Sequence, residues 1–375
     1  MLKIILKMTL ILIASIIAIL LIVGFLFVNL SPEFGGSPSK EEKTAYQKTG
    51  HYDDGKFLNQ TPTSMDMNFS SIVSTLKEFI KGVPNDKPNF QIPVKSVDSL
   101  NIDTNNRNRL IWFGHSAFLL QLDGKNILID PMFGNVPAPH PWLGGKRFGK
   151  LPIEVSKLPT IDLVIISHDH YDHLDYGSID ELKAKTKHFF IPLGVGAHLR
   201  KWGVDENKLT EFDWWEQKKM QDIDFTFAPA RHFSGRGLGD RSSTLWGSWI
   251  IKSKDKNLFF SGDSGYESHF KTIGEKYGPF DFAMMECGQY NEKWAQIHMM
   301  PEETAQAALD VKANVMMPIH WAAFKLALHS WTDPVERVTK KAKELNLTIL
   351  VPQIGSSIWL NDLTTSNEKW WIKKN

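Results

Sequence analysis

The chain of 375 residues has almost no cysteine and almost no net charge. Cys287 is the single cysteine, so neither an intramolecular disulfide nor a cysteine-rich zinc site can form. Lys and Arg number 43 against 42 Asp and Glu, a formal charge of +1, whereas nucleic-acid binders are usually clearly basic. We therefore expect no nucleic-acid partner, and any bound metal must be held by His and carboxylate side chains.

Charge is also absent from one long stretch near the amino terminus. No charged residue occurs from Met8 to Pro32, and residues 8–28 are almost wholly apolar. About 20 apolar helical residues cross the roughly 30 Å core of a bilayer, so this stretch predicts a retained single-pass transmembrane helix. A cleaved signal peptide and a buried core helix are the alternatives. A signal peptide, however, usually has an apolar part of only about 7–15 residues and a small-residue cleavage site.

The flanking charges bear on the orientation of this helix. Lys3 and Lys7 precede the apolar stretch, which favours an amino terminus on the inside. Lys40, Lys43 and Lys48 follow it and weaken the asymmetry. We expect the bulk of the chain on the extracytoplasmic side of the membrane.

From Arg109 onward, short apolar runs typical of strands alternate with segments typical of helices. This alternation indicates a layered α/β architecture, with too many adjacent strands for a simple doubly wound sheet. Ser178 and Asp333 are expected to be helix N-caps, because Glu181 and Glu336 follow three residues later as in a capping box. The helices are expected at residues 178–187, 194–202, 266–276, 301–311 and 333–345, and a short one near 71–81.

The most informative segment is residues 168–175, with the sequence HDHYDHLD. It contains three imidazoles and three carboxylates within eight residues, directly after a predicted strand and before a predicted helix. His168 and His170 can point to the same side of an extended loop, and Asp172 and His173 can approach that place after a turn. Imidazole and carboxylate are ligands that suit zinc and similar divalent metals. The segment therefore predicts a metal site at the end of a strand.

One loop cannot complete two coordination shells, so further ligands are expected at other strand ends. His232, Asp263 and His320 each follow an apolar run directly. Taken alone, Asp263 could equally cap a helix. As a set that follows the His-rich loop, the three residues predict a single metal centre built from several strand ends.

The His-x-His-x-Asp-His pattern followed by His232, Asp263 and His320 resembles the metallo-β-lactamase superfamily. That family has an αβ/βα four-layer sandwich with a two-metal site at one edge. Longer strings resemble the N-acylphosphatidylethanolamine-hydrolysing phospholipases D; they include residues 114–117 (GHSA), 129–133 (IDPMF), 167–176 (SHDHYDHLDY), 245–249 (LWGSW) and 262–266 (GDSGY). The resemblance covers about residues 105–360. Residues 231–237 match only around His232, which leaves the identity of the lipid open.

The resemblance implies two zinc ions per chain. One would be held by His168, His170 and His232, the other by Asp172, His173 and His320, with Asp263 bridging the two. Asp172 and Asp263 would be catalytic through a metal-bridging hydroxide. The implied reaction is hydrolysis of N-acylphosphatidylethanolamine, or a related phospholipid, to N-acylethanolamine and phosphatidic acid.

Other residues have weaker sequence signals. Tyr171, His298, Trp321 and His329 are candidates for contacting substrate or for supporting a metal ligand. His115 is expected to order the turn between two strands.

The expected organisation is a membrane anchor at 1–30, a linker and amino-terminal arm at 31–105, and a hydrolase domain at 106–375, preceded by the one transmembrane helix. The expected partners are a phospholipid substrate and the membrane, and the oligomeric state is open. Another hydrolase of the same fold, such as a lactonase, an amidohydrolase or a small phosphodiesterase, is the nearest alternative. A membrane-anchored, non-enzymatic envelope protein is the remote one.

Overall fold

The computed structural model describes residues 1–65, 68–98, 102, 108–363 and 368–373. The chain begins with helix α1 (Leu2–Leu30), none of whose residues is buried. Within the described ranges, α1 alone is long and apolar enough to cross a membrane, with a mean hydropathy of 3.3 in its most apolar window. The expected boundary between arm and hydrolase domain, at 105–106, lies outside the described residues.

Two mixed sheets form the centre of the molecule. The strands of the first sheet are β3 (Arg109–Trp112), β4 (Phe118–Leu122), β5 (Lys125–Ile129), β6 (Ile161–Ile165), β7 (Thr186–Pro192), β8 (Leu209–Phe212) and β16 (Ser357–Trp359). The strands of the second sheet are β9 (Gln217–Met220), β10 (Ile223–Ala228), β11 (Ser248–Lys252), β12 (Asn257–Phe260), β13 (Phe282–Glu286), β14 (Val315–Ile319) and β15 (Thr348–Ile349). A small hairpin of β1 (Tyr52–Asp53) and β2 (Lys56–Phe57) precedes them.

The two sheets share one layout. Their strand orders are β16-β3-β4-β5-β6-β7-β8 and β15-β14-β13-β12-β11-β10-β9. In the first sheet the pairings from β16 to β5 are antiparallel and those from β5 to β8 are parallel. In the second, the pairings from β9 to β12 are antiparallel and those from β12 to β15 are parallel.

Helices cover the outer face of each sheet. Beyond α1, the helices of the described ranges include α2 (Lys40–Tyr46), α3 (Phe69–Lys81), α4 (Tyr176–Leu182), α5 (Gly196–Lys201), α6 (His269–Tyr277), α7 (Pro301–Asp310) and α8 (Asp333–Glu344). One apolar cluster lies between the sheets, a second joins the first sheet to α4 and α5, and a third joins the second sheet to α6, α7 and α8. Three interfaces between four layers confirm the expected αβ/βα sandwich.

The unbroken apolar runs of the strands follow from this layering. Successive residues of a strand point to opposite faces of the sheet. Leu110 and Trp112 of β3 enter the cluster between the sheets, whereas Ile111 and Phe113 enter the outer cluster. Because both faces of the sheet are covered, every position of β3 is buried.

Both predicted N-caps are wrong, although the last predicted helix does begin at Asp333. The N-cap of α4 is Asp175, whose carboxylate accepts a hydrogen bond from the Ser178 backbone N–H at 2.8 Å, so Ser178 lies inside the helix. This helix ends at Leu182 rather than at 187, because the chain enters β7 at Thr186. Helix α8 has Thr332 as its N-cap without a side-chain cap, and Asp333 is its first residue, where a negative charge complements the helix dipole.

The glycine-rich stretch after α1 is a packed contact, where the sequence predicted a linker. The Trp202 indole donates a hydrogen bond to the Pro32 carbonyl at 2.7 Å. Gly35 has a φ of +68°, and a Cβ at this position would lie 2.1 Å from Nδ1 of His198. Only glycine fits this left-handed, close approach. The chain leaving α1 is therefore held directly against α5.

Candidate metal centre

The structure brings the predicted ligands together at one edge of the sandwich. They all lie beyond the carboxyl ends of strands: His168, His170, Asp172 and His173 after β6, His232 after β10, Asp263 after β12 and His320 after β14. The first four come from the first sheet and the last three from the second. All are buried except His170 and Asp172, which are partly exposed. The site therefore joins the two sheets.

Three imidazoles form one converging group. Nε2 of His168 lies 2.9 Å from Nδ1 of His170, and Nε2 of His232 lies 3.2 Å from the same atom. These separations are close to the about 3.3 Å expected between ligands of a tetrahedral ion with bonds of about 2.0–2.1 Å. The remaining Nδ1 of His232 lies 2.9 Å from the Ile297 carbonyl, which leaves Nε2 directed into the group.

A second group lies beside the first. Nε2 of His320 is 3.1 Å from Oδ2 of Asp172, and Nε2 of His173 is 3.6 Å from the same oxygen. Asp263 lies between the groups, because its Oδ2 is 3.1 Å from Nε2 of His320 and 3.8 Å from Nε2 of His168. The two groups and Asp263 together form one continuous cluster, with one group of donor atoms on each side of Asp263.

The protonation states of the two groups differ. Burial and the neighbouring imidazoles lower the pKa of His168 and His232 well below the ordinary value, so both rings are neutral and can offer a lone pair to a metal. Burial alone would also lower the pKa of His173, but the carboxylates of Asp263 and Asp172 raise it to about 10. A positive charge is therefore favoured in the second group. A metal cation bound there would compete with the proton on His173.

The donor set fits a bound cation on a further observation. Nε2 of His173 and Oδ1 of Asp263 are buried and face each other at 3.2 Å as an ion pair. Within the described part of the chain neither atom has a hydrogen bond of good geometry. Coordination to a cation would use both atoms as ligands in place of this ion pair. Imidazole and carboxylate, without thiolate, match zinc and other borderline divalent metals.

Asp130 supports the second group from behind. This residue directly follows β5, and its Oδ2 lies 2.7 Å from Nδ1 of His173. The same carboxylate accepts hydrogen bonds from the backbone N–H and the hydroxyl of Ser167, at 2.7 and 2.6 Å. It thereby orients the His173 ring, as carboxylates commonly do behind metal-binding histidines. Its sequence signals were its place at the end of an apolar run and within the string at 129–133 that resembles the phospholipases D.

His115 has a wider role than ordering its turn. It lies between β3 and β4, where its backbone carbonyl accepts a hydrogen bond from the Trp112 indole at 2.9 Å. Its Nε2 also lies 2.9 Å from Oδ2 of Asp172, so it restrains a predicted ligand. Burial and the neighbouring His320 lower the pKa of His115 to about 3, which keeps the ring neutral. The sequence did not indicate this contact, because the two residues are 57 positions apart.

Several site residues have a left-handed backbone. The φ values are 55° for His115, 40° for Asp130 and 67° for His320, and none of them is glycine. Each such conformation costs of order 1–3 kcal/mol and persists where the surroundings demand it. Here the His320 backbone N–H donates to the His115 carbonyl at 3.1 Å, which ties two of these positions together.

The carboxylates of the His-rich loop have separate roles. Asp172 alone faces the ligand cluster. Asp169 points the other way and accepts hydrogen bonds from the Thr244 hydroxyl at 2.8 Å and the Gly235 backbone N–H at 2.7 Å. Asp175 caps α4. The loop is thus held on both sides while Asp172 remains directed at the site.

Glu286 is a buried acid at the site that sequence reasoning missed. It is the last residue of β13, and its Oε1 lies 2.9 Å from Nδ1 of His298 and 3.5 Å from Nδ1 of His320. The rule that located the other ligands, a polar residue ending an apolar run, also applies to it. His298, a predicted candidate, is brought to the cleft by this contact.

The amino-terminal arm also reaches the site. The Asn59 side chain donates to the His232 carbonyl at 2.8 Å and accepts from the His232 backbone N–H at 3.1 Å. This paired contact fixes the backbone of a predicted ligand. It joins residues 173 positions apart, and no periodicity in the sequence points to it.

The other candidate residues lie outside the cleft. Trp321 is buried in an aromatic cluster with Trp112 and Trp370. Nε2 of His329 accepts a hydrogen bond from the Gln289 backbone N–H at 3.0 Å, and the Tyr171 hydroxyl donates to the Arg236 carbonyl at 2.7 Å. Tyr171, Trp321 and His329 can therefore act on the site only through their neighbours.

A cleft of about 230 Å³ opens over the ligand cluster, lined by His170, Asp172, Asp263, His298 and His320 together with Phe233 and Trp294. A larger cavity of about 490 Å³ adjoins it, lined mainly by the arm at 56–65 and by Arg241. Met65 and Phe233 belong to both walls. The two spaces are thus neighbours that share a wall, and the predicted ligands line mainly the smaller one.

The sequence of the chain matches known proteins over most of its length. The family described as "Beta-lactamase superfamily domain" matches residues 125–321. The uncharacterized protein Rv0906 of Mycobacterium tuberculosis is 37% identical over 333 residues, 88% of this chain and 89% of that protein. The N-acyl-phosphatidylethanolamine-hydrolyzing phospholipase D 1 of Caenorhabditis elegans is 29% identical over 298 residues, 74% of this chain and 83% of that one.

The fold is also found among solved structures. Igni18, a metallo hydrolase from the archaeon Ignicoccus hospitalis, has a TM-score of 0.51 at 23% identity. The alignment covers 67% of this chain and 97% of Igni18. At this identity the likeness shows the fold alone.

Proposed function

Since the chain belongs to the β-lactamase superfamily of metal-dependent hydrolases, we propose that it is a zinc-dependent phosphodiesterase of the phospholipase D type. Its substrate would be N-acylphosphatidylethanolamine or a related phospholipid. The observation that carries the proposal is the pair of converging ligand groups with Asp263 between them. The activity named for the Caenorhabditis elegans relative supplies the choice of lipid.

Seven side chains would hold the metals. His168, His170 and His232 would hold one, Asp172, His173 and His320 the other, and Asp263 would contact both. Two bound cations lower the pKa of water and stabilise negative charge at a phosphorus centre. Around them, Asp130 orients His173, His115 restrains Asp172, and Glu286 directs His298 at the cleft.

The proposed reaction needs only water as a co-reactant. A water oxygen bonds to phosphorus, and the bond from phosphorus to the ethanolamine oxygen breaks. The proton balance is completed on the leaving alcohol, so the products are phosphatidic acid and N-acylethanolamine. No Ser or Cys nucleophile is required, in keeping with the burial of Cys287 and its raised pKa.

The space beside the ligands suits a large anionic amphiphile. The cleft and the adjoining cavity lie side by side, and Phe233 lines both. The Arg241 guanidinium stacks 3.7 Å above the centre of the Phe233 ring, and within the described residues it has no carboxylate partner. A cation in this position is available to an anionic oxygen of the substrate.

The anchor completes the proposal. Helix α1 would cross the membrane once, with residues 31–105 as the arm and 106–375 as the hydrolase domain. A protein held at the bilayer by α1 would meet its phospholipid there. The extracytoplasmic placement of the domain remains a prediction from the lysines that precede α1.

The test uses the full chain in mixed micelles containing N-acylphosphatidylethanolamine, with zinc supplied and in ¹⁸O-labelled water. We expect phosphatidic acid that carries the label and N-acylethanolamine that does not, detected by mass spectrometry. Asp263→Asn should abolish turnover and weaken metal binding. Asp255→Asn, in the exposed turn before β12, is the matched control and should keep the parent rate.

The outcomes separate the alternatives. Label in the N-acylethanolamine, or release of fatty acid instead, would contradict the phospholipase D assignment. Tight binding of two metals per chain without turnover of this lipid would retain the metal-dependent hydrolase and overturn the substrate. Lactones, amides and small phosphodiesters would then be screened.

A further inference from the structure

The length of α1 locates the bilayer relative to the domain. Lys3 and Lys7 lie at its start, and the residues that follow are uncharged to its end at Leu30. A helix rises 1.5 Å per residue, so about 20 residues cover the roughly 30 Å hydrocarbon core. Counted from Met8, the far boundary of the core falls at about Phe27.

The folded domain touches α1 at this same residue. The Phe27 ring lies 5.4 Å from the Phe34 ring and 6.1 Å from the His140 ring. Phe34 in turn lies 6.5 Å from Tyr171, which stands between two predicted ligands of the His-rich loop. The loop that carries the ligands is therefore two ring contacts away from the membrane boundary.

Exposed apolar side chains occur in two segments that adjoin this contact. Trp142 is 90% exposed and Leu143 is 63% exposed, and the Trp142 ring lies 4.7 Å from His140. Leu238, 99% exposed, belongs to the loop after Arg236, whose Nε donates to the Glu33 carbonyl at 2.7 Å. Among the described residues after α1, Leu238 and Trp142 are the most exposed large apolar side chains.

We propose that Trp142, Leu143 and Leu238 form a membrane-docking surface that inserts into the interfacial layer of the leaflet where α1 ends. The occupant is a phospholipid bilayer, because this surface is continuous with the helix that would cross that bilayer. Trp is enriched at membrane interfaces, where its apolar ring and polar N–H are both satisfied. Together with the anchor, the surface holds the His-rich loop beside the phosphodiester layer.

This inference rests on the membrane-anchor part of the proposed function. It adds that the domain is fixed against the bilayer rather than suspended above it. The carbonyls of Pro32 and Glu33 accept hydrogen bonds from the domain. These contacts leave little free chain between α1 and the docking surface, so the domain is held in place relative to α1.

The test places fluorescent labels beside the docking residues and leaves those residues intact. The full chain carrying Cys287→Ala is reconstituted at one chain per lipid nanodisc. Single cysteines at Pro141→Cys and Gly239→Cys are labelled with an environment-sensitive dye; a Cβ at Gly239 meets no atom within 4 Å, so this position tolerates the change. Lys254→Cys, in the exposed turn at the opposite end of the sandwich, is the matched control.

We expect lipids with a shallow nitroxide to quench the labels at 141 and 239 and not the label at 254. Adding Leu238→Ser should reduce quenching at 239, and Trp142→Ser should reduce it at 141. Each reduction should be about twofold or more, because the substitution removes the apolar side chain that inserts. A label at Ile17→Cys should be quenched by a deep nitroxide, which reports the anchor separately.

Three outcomes would overturn the proposal. Quenching at 141 and 239 equal to that at 254, with Ile17 quenched, would show an anchored domain that does not dock. Protection of both labels only when several chains share one nanodisc would assign the surface to a second copy. An unquenched Ile17 label would remove the anchor, and with it the docking surface.

Discussion

Asp130 shows how a residue outside the predicted ligand set can orient a ligand of the candidate metal site. Its carboxylate lies 2.7 Å from Nδ1 of His173 and accepts two hydrogen bonds from Ser167. Burial raises the pKa of Asp130, although the contacts with His173 and Ser167 oppose the rise. The carboxylate therefore orients the imidazole and increases its basicity toward a metal.

We expect Asp130→Asn to lower zinc affinity about 10–100-fold, because the amide keeps the shape but not the charge behind His173. The measurement is zinc content and chelator competition on the purified chain. Asp123→Asn, in an exposed turn before the same strand, is the control and should bind zinc like the parent. Parent-like affinity in a folded Asp130→Asn protein would contradict this role.

At the residue level the sequence predicted ligands and missed their supports. His168, His232, Asp263 and His320 could be found because each is a metal-binding residue type placed directly after an apolar run. Asn59 could not, because its contact with His232 joins the arm to a strand end 173 positions away. A supporting residue has no type or spacing of its own, only a position in the folded chain.

At the element level, Glu211 of β8 supports the start of α5. Its carboxylate accepts hydrogen bonds from the backbone N–H groups of Gly194 and Gly196, at 3.1 and 2.8 Å. Burial, together with the neighbouring Glu42, raises its pKa to about 7 from an ordinary value of 4.5. The folded chain therefore keeps a proton here that the unfolded chain loses.

Because the folded-state pKa is raised, this residue makes stability fall as the pH rises from 4.5 to 7, with the full penalty present above pH 7. At about 1.4 kcal/mol per unit, the penalty reaches at most ~3 kcal/mol. Glu211→Gln should therefore melt like the parent near pH 4 and several degrees higher at pH 8. Thermal unfolding over this pH range is the measurement. Glu181→Gln, at an exposed position of α4, is the control and should melt like the parent at every pH. A Glu211→Gln melting temperature that follows the parent's at every pH would contradict the expectation.

Element boundaries were harder to predict than elements. Strands β3–β6 and β10–β14 were expected, because both faces are buried and the runs are apolar. Strand β9, with the sequence Gln-Lys-Lys-Met, was missed because it lies at a sheet edge and is largely exposed. The first residues of β7, up to Lys187, were assigned to a helix. Lys187 and His188 are both exposed, and they interrupt the apolar pattern of the strand.

For the whole molecule, the ligand cluster joins the two sheets. Four ligands follow β6 of the first sheet, and the other three follow strands of the second. A metal bound there would link the halves of the sandwich and favour the folded state by mass action.

We expect removal of metal by a chelator to lower the melting temperature by about 3–5 °C, with recovery when zinc is added back. Saturation at about 100 times the dissociation constant contributes about 2.7 kcal/mol, which sets this scale. Differential scanning calorimetry of the full chain in detergent is the measurement. Asp263→Asn should be nearly insensitive to the chelator. Identical parent curves with and without chelator would contradict a metal that links the sheets.

The sequence by itself determined the layered α/β class, the apolar amino-terminal helix and the strand-end positions of the His and Asp residues. These follow from local patterns: runs of apolar residues, an absence of charge, and residue types at fixed spacing. The tertiary structure alone decided which atoms converge, which residues stand behind the predicted ligands, and that the end of α1 lies two ring contacts from the His-rich loop. Those features join residues far apart in the chain, and only the packing of two sheets and an arm brings them within contact distance.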